Sequence, residues 1–206
     1  MEQAVRKIAL LGMGTVGGGV YEIIEKQKEE MPFKIGAALE VVKVLVRNKA
    51  KYADRIPAEK LTNVWEDVIG DDSIDIVVEV MGGIEPARTY IKAALEKGKH
   101  VVTANKDLVA VHGAQLYETA AENGVDFLFE AAVAGGIPII RPLKQCLAGN
   151  EISDAVGIVN GTTNYILTRM FEDNMEFQEA LDQATELGYA EADPTADIQA
   201  WMQEER

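Results

Sequence analysis

The stretch that decides the fold is IALLGMGTVG, residues 8–17. An apolar run over residues 5–11 predicts a buried strand, and a helical pattern follows over residues 16–28. Between them lies a G-x-G-x-x-G motif at residues 12–17. Its glycines permit a tight turn, close approach of the backbone to a pyrophosphate, and close packing of helix on strand. Because amide groups at the helix N-terminus would face the phosphates, the motif predicts a dinucleotide site; the alternative is a plain strand-to-helix turn.

Strands and helices alternate along the rest of the first 130 residues. The predicted strands cover residues 39–48, 74–80, 100–103 and 126–130, and the predicted helices cover residues 86–97 and 109–123, with a shorter helix within 61–68. Short loops join these segments. The pattern is typical of an α/β fold with a doubly wound parallel sheet of the Rossmann type.

A run of small residues at 131–138 changes this pattern. We interpret it as a hinge between a nucleotide-binding domain, residues 1–133, and a second domain, residues 134–206. The second domain mixes helix and strand patterns, so we expect a partial α+β domain. Its predicted segments are a helix over residues 138–149, a strand over 153–159, and helices over 162–170 and 176–187.

Composition bounds the class of protein. The chain has 206 residues and a net charge of −14, which argues against a nucleic-acid-binding surface. The sequence has no signal-peptide pattern, and no apolar run approaches the roughly 18 residues of a membrane span. The single cysteine, Cys146, permits no internal disulfide and is interpreted as a small core residue. We therefore expect a soluble cytoplasmic protein without nucleic-acid or membrane partners.

Arg47 is the residue that bears on cofactor choice. In dinucleotide folds, an acid at the end of the second strand accepts a hydrogen bond from the ribose 2′-hydroxyl, whereas an arginine accommodates a 2′-phosphate. The predicted second strand closes with Arg47 and carries no acid at this point. The sequence therefore predicts NADP, with NAD possible; the alternative is a solvated arginine at a strand end.

Three polar clusters are expected near the crevice of such a sheet: residues 103–106 (TANK), residues 160–164 (NGTTN), and Glu191 with Asp193 and Asp197. A lysine at the crevice end of a strand, such as Lys106, can exchange a proton with a carbonyl or alcohol beside a nicotinamide. A nearby carboxylate could hold a substrate ammonium. The alternatives are a surface lysine in a loop for Lys106, and turn and helix-cap chemistry for Asn160 and Thr162.

Taken together, the motifs resemble homoserine dehydrogenase. The motifs that carry the resemblance are the glycine motif, VRN at residues 46–48, TANK at 103–106, FEAAVAGGIP at 129–138, NGTTNY at 160–165 and GYAEADP at 188–194. They keep the order and spacing of the family up to about residue 198. The last two are far more specific than the glycine motif alone.

The resemblance implies an oxidoreductase that interconverts L-homoserine and L-aspartate 4-semialdehyde with NAD(P), on the route to threonine, methionine and isoleucine. It also implies homodimers. The residues that it assigns to the cofactor are Gly12, Gly14, Thr15, Val16, Gly17, Arg47, Thr103, Lys106 and Gly188. Lys106 and Glu191 would be catalytic, and Glu191, Asp197 and Thr162 would bind the substrate. A sodium or similar monovalent cation would lie in a cage of carbonyl groups from Glu130, Val133, Gly135 and Ile137, ordering the hinge.

The sequence departs from the family after residue 198. The family continues there with a Gly-Leu-Asp triplet and an Ala-Arg-Lys triplet, whereas this chain reads QAWMQEER over residues 199–206. The substrate-binding aspartate of the family falls on Met202, and its proton-donating lysine falls on Arg206. The rest of the family's substrate domain is not in this sequence. The alternative is therefore a truncated, catalytically weak nucleotide-binding module; an unrelated Rossmann dehydrogenase would require the late motifs to be accidental.

Overall fold

The computed structural model describes residues 4–188, and the chain divides into two compact units, with the boundary after Ala148. The first unit contains a six-stranded sheet in which every pair of neighbouring strands is parallel. The strands are β1 (Val5–Leu11), β2 (Ala38–Leu45), β3 (Leu61–Thr62), β4 (Ile76–Glu79), β5 (His100–Thr103) and β6 (Phe127–Leu128). Their order is β3-β2-β1-β4-β5-β6, so the winding direction reverses between β1 and β4.

Five helices connect these strands: α1 (Thr15–Lys26), α2 (Met31–Ile35), α3 (Glu66–Ile69), α4 (Ala87–Glu96) and α5 (Lys106–Glu122). Short 3₁₀ turns lie at Lys49–Tyr52 and Glu130–Ala132, and a π-helical turn covers Pro142–Cys146. α5 begins where it does because the Asn105 side chain accepts a hydrogen bond from the backbone N–H of Leu108, at 3.2 Å.

The core lies on both faces of the sheet. Along β1, Ala9 and Leu11 belong to one apolar cluster, and Ile8 and Leu10 belong to the other. Side chains alternate between the faces of a strand, so a strand covered on both sides is apolar at every position. The first cluster includes Ile91, Leu95, Leu108 and Leu116 of α4 and α5, and the second includes Ile24 of α1.

The described part of the second unit is built on two helices. These are α6 (Gly161–Glu172) and α7 (Phe177–Glu186), which pack around Ile166, Ala180, Leu181 and Ala184. The side chain of Asn160 caps α6 by accepting a hydrogen bond from the Thr163 N–H at 2.9 Å. Residues 151–160 adopt no regular secondary structure, and Val156 is fully exposed.

The structure confirms the α/β Rossmann-type fold, and four local expectations are wrong. Residues 153–159 do not form a strand, because a strand needs a hydrogen-bonded neighbour and the described residues provide none there. The helix expected over residues 138–149 is reduced to a turn near Pro142–Cys146. Cys146 is exposed rather than buried in a core. α5 begins at Lys106, three residues earlier than expected, because the Asn105 side chain caps the helix there.

Two short elements were not anticipated: β3, an edge strand of two residues, and α2, a single turn that begins beside Pro32. The division after Ala148 lies beyond the predicted boundary between residues 133 and 134, which stays a prediction. Within residues 4–188, no helix is long and apolar enough to cross a membrane.

Candidate functional site

A cleft of about 490 Å³ lies at the carboxyl ends of β1, β2 and β4, where the winding of the sheet reverses. Its lining includes Gly12, Gly14, Arg47, Lys51, Met81 and Tyr90. The crevice at a topological switch point is where open α/β sheets bind ligands, and the volume is in the range of small-molecule sites.

The glycine motif forms one wall of this cleft. Gly12 has a positive φ of 99°, and a Cβ atom there would lie 2.8 Å from the Val80 carbonyl oxygen. A Cβ atom on Gly17 would lie 2.3 Å from the Gly12 carbonyl oxygen. Gly14 is different: it is the N-cap of α1, and a Cβ atom there would meet nothing within 4 Å. The motif therefore leaves open space in front of a helix N-terminus, which fits a pyrophosphate group.

Basic side chains line the cleft beside the end of β2. The Asn48 side chain accepts the Ala50 N–H at 3.1 Å and caps the turn at Lys49–Tyr52, which brings Lys51 into the lining together with Arg47. Among the described residues, those that line this cleft include no carboxylate. This charge distribution favours a phosphate-bearing ligand.

Aromatic side chains form a further wall. Tyr90 of α4 lines the cleft and stacks on Trp65, with ring centroids 4.3 Å apart and an interplanar angle of 11°. The cleft lining also includes Lys51, Tyr52 and Tyr90, which the sequence motifs did not predict. Tyr90 lies in the first turn of the helix that follows the carboxyl end of β4. This place in the sequence was the available sign that Tyr90 faces the cleft.

Of the residues predicted to bind the cofactor, the described cleft lining includes Gly12, Gly14 and Arg47 but not Thr103 or Lys106. The Thr103 side chain is buried and donates a hydrogen bond to Glu79 Oε2 at 2.7 Å. Lys106 is exposed and is the first residue of α5, at the carboxyl end of β5. Their cofactor contacts stay predictions. Thr15 and Val16 form the first turn of α1, directly after the glycine cradle.

Glu130, assigned to a cation site, uses its side chain in another way. The carboxylate accepts the backbone N–H groups of Ile139, Ile140 and Arg141 at 2.6, 2.9 and 2.8 Å. Burial raises the pKa of Glu130, but these hydrogen bonds and the charge of Arg141 outweigh it and hold the pKa below its ordinary value. These three hydrogen bonds hold residues 139–141, which directly follow the expected cation cage.

The proposed cage would use backbone carbonyl groups, which suit a hard cation. The Glu130 carbonyl accepts the Val133 N–H at 3.2 Å and keeps a second lone pair. Gly135 has a positive φ of 59°, within the tight turn that precedes Ile137. The described residues contain no cluster of three or more acidic, His or Cys side chains that could hold a metal ion. The carbonyl cage therefore stays a prediction.

In the second unit, Thr162 is half-buried in the first turn of α6. Gly188 follows α7 with a positive φ of 76°, as expected of a helix stop. The residues expected to bind substrate or to replace family residues, Glu191, Asp197, Met202 and Arg206, lie outside the described residues.

The sheet order and the glycine cradle define the class: the first unit is a Rossmann-type nucleotide-binding domain. Comparison with known families agrees and is more specific. Residues 12–130 match the NAD-binding domain of homoserine dehydrogenase, and residues 138–204 match a second homoserine dehydrogenase domain. The chain belongs to the homoserine dehydrogenase family, which confirms the resemblance of its motifs.

Individual relatives support this assignment. A homoserine dehydrogenase of Bacillus subtilis (strain 168) is 47% identical over 194 residues, covering 94% of this chain and 45% of the relative. The solved structure of a homoserine dehydrogenase from Thiobacillus denitrificans has a TM-score of 0.82 at 46% identity, covering 95% of this chain and 46% of that one. A hyperthermophilic archaeal homoserine dehydrogenase in complex with NADPH has a TM-score of 0.73 at 29% identity, covering 94% and 65%. The chain spans about half the length of the curated relatives it matches.

Proposed function

We propose that the first unit binds NADP in the cleft at the switch point, and NAD more weakly. The observation that carries the proposal is the open glycine cradle beside Arg47 and Lys51, with no carboxylate in the described lining. The cradle suits the pyrophosphate. Arg47, at the end of β2, is placed for a 2′-phosphate on the adenosine ribose. NADPH in the archaeal relative is consistent with this choice.

We further propose that the chain has the activity implied by its family, the interconversion of L-homoserine and L-aspartate 4-semialdehyde. The nicotinamide of a bound cofactor supplies or accepts the hydride. Lys106, at the crevice end of β5, is the residue proposed to exchange the proton of the alcohol oxygen. Glu191, Asp197 and Thr162 are proposed to bind the substrate, with Glu191 also catalytic. The pathway to threonine, methionine and isoleucine follows from this activity.

A second candidate function is nucleotide binding with little turnover. It is favoured by the sequence of residues 199–206, in which Met202 and Arg206 stand where the resemblance predicts the family's substrate-binding aspartate and proton-donating lysine. Arginine stays protonated at working pH and could polarise a carbonyl, but it cannot cycle a proton as lysine does. Cofactor binding is common to both candidates, and turnover separates them.

Three further proposals concern a bound cation, self-association and location. A monovalent cation such as sodium would lie at the carbonyl groups of Glu130, Val133, Gly135 and Ile137. The chain would form homodimers, which the exposed apolar side chains of Val156 and Ile158 favour. A cytoplasmic location suits a chain whose single cysteine, Cys146, permits no internal disulfide.

Titration of NADPH and NADH into the wild type and Arg47→Ala tests the cofactor proposal. An arginine–phosphate hydrogen bond contributes on the order of 1.5 kcal/mol, so we expect NADPH to bind about tenfold more weakly to Arg47→Ala. NADH affinity should not change. Arg6→Ala is the matched control, because Arg6 pairs with Asp75 at the opposite end of the sheet. Equal wild-type affinities for the two cofactors, or equal losses of both in Arg47→Ala, would overturn the proposed preference.

A further inference from the structure

Glu79 is a fully buried carboxylate at the end of β4 that the proposed reaction does not use. Its Oε1 atom accepts the backbone N–H of Met81 at 2.7 Å, and its Oε2 atom accepts the Thr103 hydroxyl at 2.7 Å. Burying a carboxylate is costly unless its oxygens are hydrogen-bonded. Glu79 does not line the described cleft, whereas Met81 does. Its role must therefore be exerted through the groups that it binds.

On one side, Glu79 connects to the start of α5. Thr103 Oγ1 accepts the Asn105 N–H at 3.0 Å, which directs the hydroxyl hydrogen of Thr103 towards Glu79. The Asn105 side chain caps α5 through the Leu108 N–H, and its Nδ2 atom donates to the Gly83 carbonyl at 2.6 Å. These bonds close a ring between the segment of residues 81–83 and the first turn of α5, where Lys106 lies.

On the other side, Glu79 connects to the glycine motif. Glu79 is paired in register with Leu11 of β1, and the Val80 N–H donates to the Leu11 carbonyl at 2.9 Å. A Cβ atom on Gly12 would lie 3.2 Å from the Met81 Cα atom, so the two backbones are in direct contact. The hydrogen bond from Met81 to Glu79 therefore fixes the backbone against which the glycine turn packs.

We propose that Glu79, Thr103 and Asn105 form a positioning relay that holds Lys106 in a fixed place relative to the glycine motif. The relay rests on the proposed function in one respect, because the proposed function is what gives Lys106 a role in catalysis and the glycine motif a role in cofactor binding. Within the relay its three members act as positioning residues, and the predicted cofactor contact of Thr103 is separate from this role. A carboxylate is required at the centre because two donors converge on it. A glutamine can present an acceptor to only one of them and must turn its amide group towards the other.

Glu79→Gln, Thr103→Val and Thr103→Ser test the relay in the full 206-residue chain. Thr119→Val is the matched control, because Thr119 is also buried and, among the residues that the structure describes, its hydroxyl bonds to the Gln115 carbonyl within α5 and to no member of the relay. One readout is amide hydrogen exchange without cofactor, followed by mass spectrometry of peptides covering residues 79–84 and 103–108. The other is NADPH affinity by fluorescence titration.

We expect Glu79→Gln and Thr103→Val to speed exchange in both peptides at least about tenfold relative to Thr119→Val, because both changes break bonds between the strands and α5 whereas the bond lost in Thr119→Val lies within α5. Thr103→Val removes two of these bonds, to Glu79 and from Asn105, and Glu79→Gln removes one of the two acceptor oxygens. NADPH should bind about tenfold more weakly to both variants, the effect of one such bond. Thr103→Ser keeps the hydroxyl and should restore slow exchange and most of the affinity. This rescue separates positioning from a loss of packing.

The relay is overturned if exchange rises equally across the chain, or if Thr103→Val matches Thr119→Val in both readouts. If Thr103→Val does not fold, Asn105→Ser replaces it, since serine keeps the cap of α5 but loses the bond to Gly83. Failure of wild-type chain to bind either cofactor would overturn the proposed function alone, because the exchange comparison needs no cofactor. Cofactor binding with unchanged exchange would overturn the relay alone.

Discussion

Two stretches of this chain have a similar strand signal and fold differently. β5 (His100–Thr103) lies between β4 and β6, and Val101 within it is completely buried. Residues 153–159 are also rich in apolar and β-branched side chains, yet they form no strand, and Val156 is fully exposed. An apolar alternating pattern predicts which face a strand would bury. It does not provide the neighbouring strand that must accept and donate its hydrogen bonds.

The same contrast holds for the two units as wholes. The first has a sheet covered on both faces and a cleft built from backbone turns and the N-terminal ends of helices. The described part of the second has one small cluster around Ile166 between α6 and α7. We therefore expect cofactor binding, which needs only the first unit, to be intact. Turnover also needs the second unit, so we expect it to be weak.

The contrast between the two units should have its largest effect on the rate of turnover. The chain is expected to bind NADPH but to oxidise homoserine at least about a hundredfold more slowly than a full-length relative. The reason is that Arg206 is expected at the position of the family's proton-donating lysine and Lys106 substitutes for that lysine only in part, and losing a general acid–base group costs about 10²–10⁴ in rate. The measurement is steady-state turnover with homoserine and NADP. Met202→Asp combined with Arg206→Lys should raise the rate if these positions are responsible. Ordinary enzyme-like turnover of the unmodified chain would contradict the prediction.

A matched pair of valines tests the contrast in packing. Val77 in β4 is completely buried, whereas Val156 is fully exposed. Val77→Ala should lower the free energy of unfolding by about 2 kcal/mol, from lost burial and the cavity left behind. At protein concentrations low enough for the chain to be monomeric, Val156→Ala should change it by less than about 0.5 kcal/mol. Urea unfolding followed by circular dichroism measures both, and equal effects at that dilution would mean that Val156 is buried within a single chain.

The fold was predictable where local pattern and sheet environment agree. β1 and β5 have the bounds expected from sequence because their apolar runs end at glycine or polar residues. The glycine motif predicted one wall of the cleft, since its geometry depends on residues close together in the chain. Tyr90 and the Glu79 relay depend on contacts between strands and helices that are distant in sequence, and a buried glutamate in an apolar strand carries no local signal of its partners. The failed strand at residues 153–159 shows the converse, a local signal without its distant partner.

Self-association tests whether that partner is a second copy of the chain. We expect a homodimer by sedimentation, and Val156→Asp should weaken it at least about tenfold, because a charge would enter an apolar contact. Phe33→Asp is the control: Phe33 is also exposed, but it belongs to the first unit. A wild-type chain that sediments as a clean monomer at high micromolar concentration would exclude this partner.

The smallest expected effect on stability concerns Asp71, in the turn that precedes β4. This turn lies at the amino-terminal ends of the strands, opposite the cleft, and is held by side-chain hydrogen bonds. The side-chain and backbone hydrogen bonds from Ser73 lower the pKa of Asp71 below its ordinary value, against an opposing contribution from burial. A depressed pKa in the folded state means that Asp71 stabilises the fold above its ordinary pKa, and that this stability is lost as pH falls through the lowered value. Asp71→Asn should therefore lower the free energy of unfolding at neutral pH by less than about 1 kcal/mol, as for a partly exposed charged group. The difference from wild type should shrink below about pH 4, where aspartate begins to protonate.

Asp72→Asn, at the exposed neighbouring position, is the control, and urea unfolding at pH 7 and pH 3 is the measurement. A difference between Asp71→Asn and wild type that persists undiminished at the lower pH would show that the ionised carboxylate is not what stabilises this turn.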